Sequence, residues 1–191
     1  MAYQSANFEH LLQIPGFSAD LMSAHIALYQ GYVTNTNKLL ELLYEAEKNT
    51  PQYNEMKRRF GWEFNGMRLH ELYFAGISKD PTHLSDTKNL QQLIQSEFGS
   101  IEDFEKDFRA VAAMRGIGWA ILAHDGASNR LFVTWINEHD SGHLAGANPV
   151  AVMDVFEHAY IKDYGIKRAD YIDACWRTFD WSVVESRLFR S

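Results

Sequence analysis

The spacing of apolar residues changes from helical to strand-like between Met114 and Trp119, and that change constrains the fold more than any other feature. Before it the period is helical. From Ser18 onward Met22, Ile26, Tyr29 and Val33 recur as one stripe, with Ser18 placed to cap the helix, and the pattern runs on through Leu39, Leu40, Leu42, Leu43 and Tyr44. Thr50-Pro51 interrupts it, and Phe60, Phe64, Met67 and Tyr73 predict a second helix over Glu55 to Phe74. Two shorter helices follow, Ser85 to Phe98 and Ile101 to Met114, the latter opened by Ser100 with an acidic residue, Asp103, in its first turn. Beyond the change, Trp119 to Ala123 and Leu131 to Ile136 are short β-prone runs on either side of the turn Asp125-Gly126-Ala127-Ser128-Asn129. Val150 to Phe156 is a third strand candidate, and helices around Ala169 to Trp176 and Trp181 to Leu188 close the chain. The order predicts an α+β protein. An N-terminal antiparallel helical hairpin (1–80) is followed by an α/β domain (81–191) with a three-stranded antiparallel sheet.

Composition excludes several function classes. The net charge of −7 argues against a general electrostatic grip on nucleic acid. Cys175 is the single cysteine, so neither an internal disulfide nor a cysteine-based zinc cluster can form. No apolar run reaches membrane length, and the N-terminal residues carry neither a secretory nor an Arg-rich organelle signal pattern. The expected setting is cytoplasmic, without nucleic-acid or membrane partners.

The eight histidines are the richest source of chemistry. His25 and His70 lie in aromatic helical segments, and His158 follows Asp154 by four residues, a spacing that suits either a helical pair or two ligands leaving a strand end. His-Glu-x-x-His and Glu-x-x-His are absent, which removes the zinc-protease and paired di-iron readings. No Gly-x-Gly-x-x-Gly, P-loop or Gly-x-Ser-x-Gly occurs.

The segment Asp154-Val-Phe-Glu-His-Ala-Tyr160, followed by Lys167-Arg168-Ala-Asp170-Tyr171 and Trp176, resembles the C-terminal signature of iron/manganese superoxide dismutases. Phe64 to Phe74, Phe98 to Phe104, Gly116 to Trp119 and Gly31 to Asn35 resemble further segments of that family, in family order. The resemblance implies one mononuclear Fe or Mn ion per subunit held by His25, His70, Asp154 and His158, with solvent as fifth ligand. It implies disproportionation of superoxide to dioxygen and hydrogen peroxide by a homodimer or homotetramer. By matched position Tyr32 and His139 would handle protons around the bound solvent, with His139 standing where other members have glutamine. Trp119 would wall the site. Glu157 would reach the partner subunit and bond the ligand histidine there, fixing its tautomer. The alternative is a metal-binding structural or interaction protein of the same fold with little turnover.

The first-helix motif departs from the family. There a tyrosine lies eight residues after the ligand histidine, and a further histidine four after it; here His25 and Tyr32 are seven apart. Aligning backward from Tyr32 puts Ala24 at the ligand position, and aligning forward from Pro15 and Ser18 puts His25 there. In a regular α-helix i+7 lies about 20° from i, while i+8 lies about 80° away. His25 is therefore expected as the ligand, on a helix without the inserted residue that a spacing of eight would need. The family's extra histidine, and the tyrosine it meets across the dimer, are both missing; Leu28 or Tyr29 and Ile161 stand there. Losing both halves of a polar contact is nearly neutral, whereas losing one strands a buried group.

Overall fold

A computed structural model describes residues 1–189. Helix α1 (Ala19–Glu45) begins at Ser18, whose hydroxyl accepts from the Leu21 N–H at 3.0 Å. Its buried stripe is Leu21, Met22, His25, Ile26, Tyr29, Tyr32, Val33 and Thr36, the three-and-four spacing of one helical face. Helix α2 (Pro51–Ala75) returns antiparallel. It starts four residues before the expected Glu55, because Thr50 accepts from the Tyr53 N–H and Pro51 occupies the first turn, where its missing N–H costs nothing. The dipeptide that ends the first pattern thus also opens the second helix.

Helix α3 (Asn89–Phe98) starts later than expected, after a 3-10 turn at Leu84–Asp86. Its first N–H groups are satisfied from a distance: the Glu185 carboxylate accepts from Asn89 N and Leu90 N at 2.6 and 3.0 Å. Helix α4 (Ile101–Ala112) carries the expected Ser100 cap on Asp103.

Strands β1 (Gly118–Asp125), β2 (Arg130–Asn137) and β3 (Ala147–Asp154) form one antiparallel sheet in the order β2-β1-β3. Strand β3 begins and ends earlier than expected. It accommodates Pro149 because it is an edge strand and its register with β1 slips between Leu122 and Ala123. The buried centre is β1, where Trp119 to Leu122 are essentially unexposed. Helices α5 (Ile161–Tyr164), α6 (Arg168–Thr178) and α7 (Trp181–Ser186) complete the chain, α5 being absent from the sequence expectation.

The register places the site. Gly118 pairs with Asn137, and Trp119 pairs with both Ile136 and Asp154. The start of β1, the end of β2 and the end of β3 therefore meet at one end of the sheet, and the helical hairpin meets the sheet at that end.

Candidate metal centre

Four side chains converge where the hairpin meets the sheet. His25 comes from α1, His70 from α2, Asp154 from the last position of β3, and His158 from a 3-10 turn at Glu157–Ala159. His25, His70 and Asp154 are buried. One ligand atom from each of the four lies within 4.8 Å of the others. The Nε2 atoms of His25, His158 and His70 stand 3.1, 3.0 and 3.5 Å from Asp154 Oδ2. Donors bound to one ion at about 2.0–2.2 Å are separated by about this much.

Two of the donors, His70 and Asp154, are held from behind. His70 donates Nδ1–H to the Gly66 carbonyl at 2.6 Å, which leaves its Nε2 bare, buried and without a hydrogen-bond partner in the protein. A bare imidazole nitrogen aimed among two more imidazoles and a carboxylate fits a divalent or trivalent cation better than anything the protein itself supplies. Asp154 is fixed through Oδ1, which accepts from the Phe156 N–H at 2.8 Å, and through its own carbonyl, which accepts from Tyr171 Oη at 2.5 Å. Burial pushes the pKa of His25 down and that of His70 well down, so both are neutral, as ligands must be. Burial by itself would raise Asp154, but the adjoining His158 and His25 outweigh it and hold the carboxyl well below its usual range.

A second layer covers these four. Tyr32 stacks on His70 with ring centroids 5.1 Å apart and places its hydroxyl 2.8 Å from His139 Nε2. The other nitrogen of His139, Nδ1, accepts from the Trp119 indole N–H at 3.0 Å. Because an indole can only donate, His139 is the neutral tautomer carrying its proton on Nε2, and that proton is donated to Tyr32. Burial lowers His139 to about 4, in keeping with this neutral form. Burial raises the Tyr32 phenol, so it keeps its proton at neutral pH.

The expected first-helix geometry is present. α1 is continuous from Ala19 to Glu45, with His25 in the donor cluster and Tyr32 two turns on, above His70. Tyr29 turns inward but not to the cluster: its hydroxyl donates to Glu71 at 3.0 Å and accepts from the Ala6 N–H at 2.9 Å. Gly66 leaves room for Tyr32, since a Cβ there would lie 2.7 Å from the Tyr32 ring. Trp119 is fully buried, edge-on to His70 at 4.9 Å. Glu157 is exposed at the start of its 3-10 turn, and Leu28 and Ile161 are exposed as well. His143 is at the surface with Nε2 2.9 Å from the His139 carbonyl.

Two residues of this layer escaped the sequence reading. Phe156 is stacked between His139 and His158, at 4.7 and 5.1 Å. Trp62 packs against His139 at 4.5 Å. Trp62, Gly66 and His70 form an i, i+4, i+8 ridge on α2, which is the signal that would have found it.

Residues 86–187 match the family model described as iron/manganese superoxide dismutases, C-terminal domain. The chain is similar to a superoxide dismutase [Fe] of Aquifex pyrophilus, 34% identical over 184 residues covering 92% of this chain and 85% of the relative. A superoxide dismutase [Fe] of Saccharolobus solfataricus is 33% identical, covering 91% and 86%. A superoxide dismutase [Mn] of Haloferax volcanii is 32% identical, covering 85% and 82%. Helical hairpin, three-stranded antiparallel sheet, donor cluster and sequence likeness agree: the chain is a member of the iron/manganese superoxide dismutase family.

Proposed function

We propose that the protein is a superoxide dismutase whose metal ligands are His25, His70, Asp154 and His158. The observation that carries this reading is the bare, buried Nε2 of His70 facing two further imidazoles and one carboxylate, all four donor atoms within 4.8 Å. Nitrogen and carboxylate donors suit Fe or Mn, one ion per subunit. When bound, the ion supplies one-electron chemistry between the +3 and +2 states. Two superoxide ions and two protons give one dioxygen and one hydrogen peroxide, so what the protein must supply is protons and an enclosed path.

Tyr32 is the proton donor in this reading. Its oxygen accepts from His139, so its own O–H is free to point toward the cluster, and burial keeps that proton in place until it is needed. A phenolate left behind would be stabilised by the same His139 N–H. Trp119 holds the His139 tautomer and walls the site. The lost histidine of the first helix is then dispensable, because the Tyr32–His139 pair is complete without it.

The finer assembly belongs to the same proposal. Glu157, exposed beside His158, suits a contact to the ligand histidine, His158, of the partner subunit in a homodimer or homotetramer, and the exposed Leu28 and Ile161 suit an apolar contact in place of the missing polar one. The division at residues 1–80 and 81–191 makes the centre a junction of two units. A cytoplasmic setting accords with the single, fully buried Cys175. No helix among the described residues is long and apolar enough to cross a membrane.

The test is the superoxide decay rate per bound metal atom, on protein loaded separately with Mn and Fe. We expect a fast rate with at least one metal and near-background rates for Tyr32→Ala. Full metal occupancy with background rates for both metals would overturn the dismutase reading and leave a metal-binding relative.

A further inference from the structure

The Tyr32–His139 pair has an outer wall that none of the expected site residues provides. Trp62 of α2 meets His139 edge-to-face at 4.5 Å and Tyr32 at 5.7 Å. Its indole N–H donates to Glu138 Oε2 at 3.1 Å. The Arg59 guanidinium also packs over the ring, 3.9 Å from its centroid. Arg59 is in turn ion-paired at 2.7 Å to Glu63, a carboxylate only 3% exposed that also accepts from Asn35 of α1. With its charge committed to Glu63, Arg59 acts on Trp62 as a plate and does not serve as a free cation at the mouth.

Glu138 is the residue before His139, and its φ is +50°. A non-glycine residue in this left-handed region is held there only when its surroundings over-determine it. Here the backbone N–H of Glu138 donates to the Ile117 carbonyl at 3.1 Å and its carboxylate receives the Trp62 N–H. The second of these ties the residue next to His139 to α2, alongside the His139–Tyr32 bond to α1 and the Asn65–His143 contact at 3.3 Å.

We propose that Trp62 is the positioning residue of the Tyr32–His139 pair, tying the His139 loop to α2 through Glu138 and closing the pair's outer side against water. The role in turnover rests on the proposed proton chemistry of that pair, but the positioning itself can be read without turnover. The probe is the His139 Nε2 proton in 15N-histidine-labelled protein, followed by NMR as it exchanges with solvent, in the metal-free and the zinc-loaded chain. Trp62→Phe keeps an aromatic ring and removes the N–H; we expect exchange to quicken about tenfold, the worth of one hydrogen bond to a charged acceptor. Trp62→Ala should quicken it further. Glu138→Ala should match Trp62→Phe, and the double variant Trp62→Phe/Glu138→Ala should be no worse than either single change. Glu138→Gln keeps an acceptor without the charge and should restore slow exchange.

Exchange in Trp62→Ala within about twofold of the parent would overturn the proposal. So would independent, multiplying effects of Trp62→Phe and Glu138→Ala, or a Glu138→Gln variant as fast as Glu138→Ala. Loss of dismutase turnover in the parent protein would instead strike the function proposed above and leave the exchange measurement standing.

Discussion

The helical side and the sheet side of the centre are built by different means. His25, Tyr32 and His70 sit on two long helices whose residues all keep ordinary negative φ, and regular helical spacing alone brings them to one face. His139 sits in the short connection from β2 to β3, where Glu138, Gly142 and Gly146 have φ of +50°, +107° and +84°. The helices position side chains by repetition, so a residue can be dropped between His25 and Tyr32 and both still face inward. The loop positions one side chain by local strain, and it depends on each of its unusual residues.

The largest expected effect breaks the loop side. At Gly142 a Cβ would lie 2.5 Å from the Trp135 carbonyl oxygen, at a φ that other residues avoid. Gly142→Ala should destabilise the protein by about 2–3 kcal/mol and displace His139. Urea unfolding measures the first, and the NMR signal of the His139 Nε2 proton reports the second. A variant as stable as the parent would show that the loop carries no such constraint, and the contrast with the helices would fail.

This contrast also explains what could be read in advance. The hairpin, the three strands and the Ser18 and Ser100 caps follow from local spacing and local hydrogen bonds, and the structure contains them. The gathering of His25, His70, Asp154 and His158 was reachable only through resemblance, because nothing local says that residue 25 meets residue 158. Hidden features depend on distant partners: the Glu185 cap on α3, the slip in β3 beside Pro149 in its pairing with β1, and the contact of Trp62 with the His139 loop. Phe156 lay inside a quoted motif, yet its stacking between two histidines needs the fold to exist first.

A middling effect asks whether the loop side is as dry as the helical side. Burial lowers His139 from 6.5 to about 4, and lowers His25 and His70 in the same direction. The unfolded chain therefore binds more protons than the folded one between these values, and stability of the metal-free protein must fall as pH drops from 6.5 toward 4, with no further gain from His139 above 6.5. His139→Gln keeps an acceptor for Trp119 and a donor for Tyr32 but cannot titrate. Its stability loss over that window should be smaller by about 1–3 kcal/mol, with the remaining slope owed to the helical histidines. Equal slopes in parent and variant would mean that water reaches His139 and that the loop side is open.

The smallest effect tests the helical side alone. Gly31 lies in the middle of α1, one residue before Tyr32, and a Cβ built there has no atom within 4 Å. If α1 works purely by repetition, a glycine at this point only weakens it, through the backbone freedom it must give up on folding. Gly31→Ala should then stabilise the protein by about 0.5–1 kcal/mol, seen as a melting temperature higher by roughly 1–4 °C, with metal content unchanged. A lower melting temperature would say that α1 relies on a local distortion at Gly31 to seat Tyr32 over His70. The helical side would then share the loop's dependence on particular residues, and the seven-residue spacing from His25 to Tyr32 would need more than helical repetition to explain it.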